Sequence, residues 1–279
     1  MIRLLIAILL LTTVTPLWAS DTLRVASYNV RYLNPEDAAA GRGWEVRRPC
    51  VTGLIVFHAF DLVGVQEATH TQVQDIAADT GLAPLGVGRD DGQEAGEYSP
   101  IFYRRERFDV LDSGTFWLSP TPEKVSFGWD ALCRRVCTWA KLKERATGRI
   151  LHFWNTHFDH RGVEARKQAA ALLLSRLEPL LGTDEPIVLT GDFNCVETSE
   201  PYRLLAARLV DTRTISATPA YGPVGSTNSF NIAGPFQHRI DHIFAHPRPR
   251  VIRHGTLAET CDGKFPSDHF PVVTDLEWH

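Results

Sequence analysis

The sequence predicts an α/β fold built of packed layers, on three observations. Its first third reads as strand, helix, strand. From residue 100 onward, short strand-like runs punctuated by Ser-Pro and Thr-Pro resemble a meander more than further βαβ units. The strongest helical segment, 163–180, then leads straight into a buried strand. At 279 residues and 44% hydrophobic, with no low-complexity linker and no internal repeat, one large domain is expected.

In chain order, Arg3 precedes an apolar run from Leu4 to Leu11, and Leu17-Trp18-Ala19 closes the segment. This matches a secretory signal over residues 1–19, cleaved after Ala19. The run is short for a bilayer and Pro16 interrupts its continuation, so export is expected rather than a stable membrane span, leaving 20–279 as the domain. Residues 23–30 alternate apolar and polar as a first strand, with Asn29 near its end. After Gly41-Arg42-Gly43-Trp44 comes a helix with Pro49 in its first turn and Val51, Leu54, Ile55 and His58 on one face. Residues 61–66 are an apolar strand ending in Gln66-Glu67. Residues 71–79 form a short helix closed by Gly81, and 86–96 a polar, glycine-rich loop of the kind that rims a site.

Short strands follow at 100–103, 108–111 and 115–118, then a hairpin of 136–143 with 149–155, Gly148 lying in its turn. Its second arm runs into Asn155-Thr156-His157. The helix over 163–180 buries Ala169, Leu172, Leu173 and Leu177; a short helix spans 200–207, a loop 214–237, and strands occupy 239–244 and 271–276. Seven Trp residues, among them Trp44, Trp117, Trp129, Trp139 and Trp154, fall mostly in strand-like segments and are expected in the core.

Against 33 Asp and Glu stand 29 Lys and Arg, a net charge of −4 that grows one unit more negative once Arg3 is removed. The balance argues against a protein that grips many phosphates without regard to sequence, and leaves room for a local basic pocket. The five cysteines (Cys50, Cys133, Cys137, Cys195, Cys261) contain no CxxC pair and no zinc spacing, so free or structural thiols are the default, with any pairing unreadable.

The chemistry concentrates where strands stop. Ile187 to Thr190 runs into Gly191-Asp192-Phe193-Asn194, and residues two apart in an extended segment face the same way, so Asp192 and Asn194 can share a pocket. Other strand ends supply Asn29, Glu67, His157, Asp241, Asp268 and His269. Carboxylates, carboxamides and imidazoles with no nucleophilic Ser or Cys motif suit metal-assisted cleavage of a phosphoester. A hard cation such as Mg²⁺, with Mn²⁺ as the alternative, needs only one or two carboxylates.

Six motifs in order, Ser-Tyr-Asn-Val-Arg (27–31), Val-Gln-Glu (65–67), Asn-Thr-His (155–157), Gly-Asp-Phe-Asn (191–194), Arg-Ile-Asp-His-Ile (239–243) and Ser-Asp-His-Phe-Pro (267–271), resemble the endonuclease/exonuclease/phosphatase superfamily. The likeness is nearest to its bacterial secreted members and its nocturnin-like, deadenylase-like branch. The resemblance implies a four-layer sandwich, two mainly antiparallel sheets face to face and flanked by helices. It implies Glu67 as principal metal ligand with Asn29 and Asp268 beside it, Asp192 as the water-activating carboxylate, and Asn194 as its partner. It also implies that His269, held by Asp241, and His157 contact the phosphate. Arg135, Asp159 and Arg166 resemble substrate-binding positions of the bacterial members, and Glu97 after the glycine-rich loop is a further candidate.

The expected substrate is therefore a phosphorylated small molecule, a nucleotide or a nucleic acid, cleaved as a monoester or a diester, and no protein partner is implied. Two alternatives stand beside it. One is a sphingomyelinase-like lipid phosphodiesterase, which would want an exposed apolar hairpin, and no convincing run of that kind is evident. The other is a protein that binds a phosphate ligand without turnover.

Overall fold

Strand β1 (Leu23–Asn29) is buried almost throughout, as are β2 (Leu62–Gln66) and β8 (Ile187–Asp192), so each must be covered on both faces. The computed structural model, which describes residues 22–278, achieves this with two six-stranded sheets packed face to face. The remaining elements in chain order are α1 (Pro35–Ala39), α2 (Trp44–Phe57), α3 (His70–Thr80), β3 (Ala83–Leu85), β4 (Ile101–Tyr103), β5 (Phe108–Trp117), β6 (Val136–Glu144), β7 (Ile150–His157), α4 (Val163–Leu181), α5 (Glu200–Ala206), β9 (Val210–Asp211), a 3₁₀ turn (Thr212–Ile215), β10 (Asp241–His246), β11 (Arg250–Thr256) and β12 (Val272–Glu277).

The first sheet runs β11-β12-β1-β2-β4-β3 and the second β5-β6-β7-β8-β10-β9. In each, one central pair is parallel, β1 with β2 and β7 with β8, and the other pairs are antiparallel. Val25, Leu62, Phe153, Val188 and Ile243 fill the space between the sheets. Outside the first sheet, Val51, Leu54 and Ile55 of α2 and Ile76 of α3 cover Ala26, Val63 and Val65. Outside the second, Leu173 and Leu177 of α4 and Leu205 of α5 cover Trp154, Leu189 and Phe244. Each such side chain contributes roughly 1.5–3 kcal/mol by leaving water. The predicted four-layer sandwich is the fold observed.

Several local expectations change. The two short strands at 108–111 and 115–118 are one strand, β5, with a register shift between Val110 and Asp112 that pushes Leu111 outward. Helix α2 starts at Trp44, capped by Gly43, so Pro49 lies inside it rather than in its first turn. His58 is the C-cap of that helix and pairs with Glu259 at 2.8 Å instead of joining the buried face. Trp129 is 37% exposed, not core, because it sits in the 118–135 loop rather than in a strand. Cys50 and Cys261 form a disulfide between α2 and the loop before β12, while Cys133, Cys137 and Cys195 are free. The expected leader, residues 1–19, lies outside the described residues. Among the described residues, no helix is long and apolar enough to cross a membrane.

One position decides how closely the sheets approach beneath the site. A Cβ on Gly64 of β2 would lie 2.0 Å from Thr190 Oγ1 and 2.4 Å from Asn155 Oδ1, both on the opposite sheet. Gly64→Ala is therefore expected to destabilise the fold by about 1–3 kcal/mol through overpacking. Urea denaturation measures this, and a variant as stable as the parent would contradict the close approach.

Candidate active site

Strand register assembles the site. In the second sheet, His157 ends β7 opposite Asp192, which ends β8, and Asp241 begins β10 opposite the same Asp192. These three polar side chains occupy one rung at the end of three neighbouring strands. The first sheet brings Asn29 at the end of β1, Glu67 one residue past β2, and Asp268 and His269 in the turn into β12. All eight strand-end residues of the sequence reading gather here. Asn194 arrives by a different route from strand alternation: it lies two residues past β8 with φ 48°, and its backbone N–H donates to Asp192 Oδ1 at 2.9 Å. Glu67 (φ 66°) and Arg31 (φ 59°) are left-handed as well, so three non-glycine residues at strand exits hold backbone conformations that cost free energy.

The contacts cross from sheet to sheet. Asn29 Nδ2 donates to Glu67 Oε1 at 3.0 Å and to Asp192 Oδ2 at 3.1 Å. His269 donates Nδ1–H to Asp241 Oδ2 at 2.9 Å and turns Nε2 toward Asp192 Oδ2, 3.8 Å away. Ser226 Oγ supplies a second hydrogen bond to Asp241 Oδ2 at 2.6 Å. Asn194 Nδ2 donates to Phe158 O at 3.0 Å and to His157 Nε2 at 3.1 Å. With Nε2 accepting, His157 is the neutral Nδ1–H tautomer.

Charge follows this geometry. Burial works against a charged His269, yet Asp241, Asp192 and Asp268 overcome it and hold its pKa well above the usual value, so it is an imidazolium. His157 goes the other way: burial, reinforced by Arg135 and Arg89, keeps it neutral. Burial and then the neighbouring Asp241 raise Asp192 to about 7, the range a general base needs near neutral pH. Asp268 is raised by burial and by the proximity of Glu67.

That crowding is the test of fit for a cation. Glu67 and Asp268 offer hard oxygen ligands whose mutual repulsion a divalent ion would relieve, and no thiolate stands with them, which suits Mg²⁺ or Mn²⁺ rather than a soft metal. Asn29 serves first as a tether. Its Oδ1 accepts Arg31 N–H at 3.0 Å and its amide nitrogen is shared by two carboxylates. Asp192, Asp241 and His269 also have ligand atoms within 4.8 Å of one another. Two of the three already engage each other through the Asp241–His269 hydrogen bond.

The four substrate-binding candidates separate into two pairs. Asp159 accepts N–H bonds from Gly162 (2.7 Å), Arg161 (2.9 Å) and Cys133 (3.1 Å), which against the cost of burial hold it down to about 2. Arg166 donates to Asp159 O at 2.9 Å. Both thus build the loop after His157. Arg135 and Glu97 instead line a crevice that His157 closes.

Sequence reasoning missed Arg47. Its guanidinium is buried and donates to the carbonyls of Val30 (2.7 Å), Pro266 (2.9 Å), Arg42 (2.9 Å) and Arg31 (3.1 Å), joining the exit of β1 to the turn that carries Asp268. A signal existed: Trp44, Arg47, Val51 and Leu54 lie on one helical stripe, and a cation inside an apolar stripe needs buried partners. Arg89, the bidentate partner of Glu97, was missed too, because a glycine-rich loop gives no clue to what its side chains meet.

Because Asp241 is the strongest influence raising the pKa of His269, Asp241→Asn should lower it, measurable by histidine-resolved NMR titration; coincident curves would contradict this. A raised folded pKa stabilises the protein fully below the ordinary histidine value of about 6.5 and loses that contribution as pH rises through the folded value. Asp241→Asn should accordingly cost most stability at the acid end of this window.

Comparison with known proteins agrees with the geometry. The Endonuclease/Exonuclease/phosphatase family profile matches residues 26–269. A mannosyl-6-phosphatase from Bacteroides thetaiotaomicron VPI-5482 superposes with a TM-score of 0.89 at 39% identity, over 92% of this chain and 100% of that one. A family protein from Bacteroides vulgatus superposes with a TM-score of 0.85 at 40% identity, over 92% and 99%. Nocturnin from Xenopus laevis is 25% identical over 264 residues, 85% of this chain and 65% of that protein. The chain spans between 35% and 65% of the length of the curated relatives it matches. Since the profile runs from β1 to the turn before β12, and so takes in every strand end that builds the pocket, the chain belongs to the endonuclease/exonuclease/phosphatase family.

Proposed function

We propose that this chain is a divalent-cation-dependent hydrolase of phosphoesters, acting on a phosphomonoester of a small molecule, with Mg²⁺ as the ion and Mn²⁺ able to replace it. The observation that carries the reading is the meeting of His269, paired with Asp241 at 2.9 Å, with Asp192 and, through Asn29, with Glu67. Members of the family are phosphoester hydrolases, and the 39% identical relative is a mannosyl-6-phosphatase. The net charge of −4 gives a polyanionic nucleic acid no general attraction. Export belongs to the same proposal, and the Cys50–Cys261 disulfide supports an oxidising compartment.

Glu67, Asp268 and Asn29 would hold the ion. When bound, it neutralises charge on a phosphoryl oxygen and on the leaving oxygen. Asp192, raised to about 7 and fixed by the amides of Asn29 and Asn194, takes the proton of the attacking water. His269 presents its Nε2–H to a phosphoryl oxygen, and Asp241 keeps the ring charged and oriented. Neutral His157 holds the Asn194 amide in place.

One observation favours a second reading, the lipid phosphodiesterase. Val125, Phe127, Trp129 and Leu132 are exposed on the 118–135 loop, apolar surface that the sequence did not reveal, and Cys133 of that loop donates to Asp159 beside the site. Four substrates separate the readings: a hexose 6-phosphate, an aryl phosphate, a bis-aryl phosphodiester, and sphingomyelin in vesicles, each with Mg²⁺ and with chelator. Monoester turnover that chelator abolishes is expected, reduced at least ~10²-fold by Asp192→Ala or His269→Ala. Turnover of vesicle sphingomyelin alone would select the second reading. Rates in both variants unchanged from the parent, or activity indifferent to chelator, would overturn the mechanism.

A further inference from the structure

Beside the phosphate pocket, Arg89, Glu97, Ser99 and Arg135 line a crevice closed by His157. Arg135 is only 5% exposed. Its Nη2 donates to His160 Nδ1 at 3.1 Å, but its Nε and Nη1 have no hydrogen-bond partner. The nearest carboxylates, Asp159 at 3.6 Å and Glu97 at 4.0 Å, balance its charge without accepting from it. Arg89 Nε is open too, although the two terminal nitrogens of Arg89 grip Glu97 at 2.7 and 2.9 Å. Buried donors left open are costly, so a guanidinium with two of them is built for acceptors that the chain does not supply.

The charges around it decide what those acceptors are. Arg89, Glu97, Arg135 and Asp159 alternate in sign, so the wall is locally neutral. A phosphate placed there would meet two carboxylates as well as two guanidiniums. A hydroxyl group both donates and accepts, and can bridge a Glu97 oxygen and an Arg135 N–H. A nucleobase would call for an open aromatic face to stack on, and Tyr98, the tyrosine in the lining, is buried.

We propose that this wall binds the hydroxyl groups of the leaving alcohol, making Arg135 and Glu97 specificity-determining residues for a carbohydrate monophosphate. Arg135 thus recognises the sugar part of the substrate rather than its phosphate. The inference rests on the phosphomonoesterase reading for its substrate, but not for the binding of the sugar itself.

Two measurements on the full chain test it. The first is the ratio of kcat/KM for hexose 6-phosphate to that for p-nitrophenyl phosphate, which lacks hydroxyls, in the parent, Arg135→Ala, Arg135→Lys and Glu97→Gln. The ratio is expected to fall at least ~10-fold in Arg135→Ala and Glu97→Gln, with Arg135→Lys, which keeps the charge but loses the fork, falling less. A parallel loss on both substrates would place Arg135 on the phosphate and overturn the proposal, as would an unchanged ratio. The second is calorimetric binding of the phosphate-free hexose to the same folded proteins, which needs no turnover. Weakening of at least ~10-fold in Arg135→Ala supports the wall even if the parent hydrolyses neither ester. Equal affinity in parent and variant, or no hexose binding by the parent, overturns it.

Discussion

The carboxamide of Asn155 lies between the two sheets with all four of its hydrogen-bonding positions filled. From β7 its Nδ2 donates across the interface to Val65 O (2.7 Å) and Pro100 O (2.9 Å), while its Oδ1 accepts from Gln66 Nε2 (2.7 Å) and Thr190 Oγ1 (3.0 Å). Apolar faces alone would permit the sheets to slide, because the hydrophobic effect has no direction. A satisfied polar seam does not permit it, since any shift strands several buried groups at once. With that register set, Asn29 on one sheet comes 3.1 Å from Asp192 on the other, and the pocket exists.

The pocket itself is costly to keep. Three left-handed non-glycine residues and buried carboxylates close together oppose folding. Scaffolding outside the pocket offsets this. Arg47 binds four carbonyls around the β1 exit and the Asp268 turn, and Ser267 Oγ donates to Asn29 O at 2.7 Å. On the far face of β10, Arg239 pairs with Asp211 at 2.7 Å and His242 Nε2 meets Cys195 O at 3.0 Å, which braces the strand carrying Asp241 and the segment after Asn194.

How much of this is legible in the sequence depends on the range of each interaction. The strand ends were legible because an apolar run that stops at Asp192 or Glu67 is a local pattern, and so was the Gly81 cap. Six ordered motifs then carried the layering. The β5 bulge was not legible, since Asp112 and Ser113 look like a break until β6 is seen to pair through them. Nor was the Cys50–Cys261 bridge, whose partners lie 211 residues apart. Asn155 was visible as part of a motif, but its work as an inter-sheet tie depends on Gly64 leaving room for it. Arg135 was legible as a substrate-binding candidate, but residue type alone cannot say that Asp159 and Glu97 stand beside it.

The central claim is that side chains from both sheets share one cation and one phosphate. Anomalous diffraction from a crystal soaked with Mn²⁺ and inorganic phosphate tests it most directly. The account predicts Mn²⁺ at about 2.0–2.2 Å from a Glu67 oxygen, as for a small hard cation, with the phosphate between that ion and His269 Nε2. Manganese bound elsewhere, or phosphate lodged away from His269 and Asp192, would contradict it.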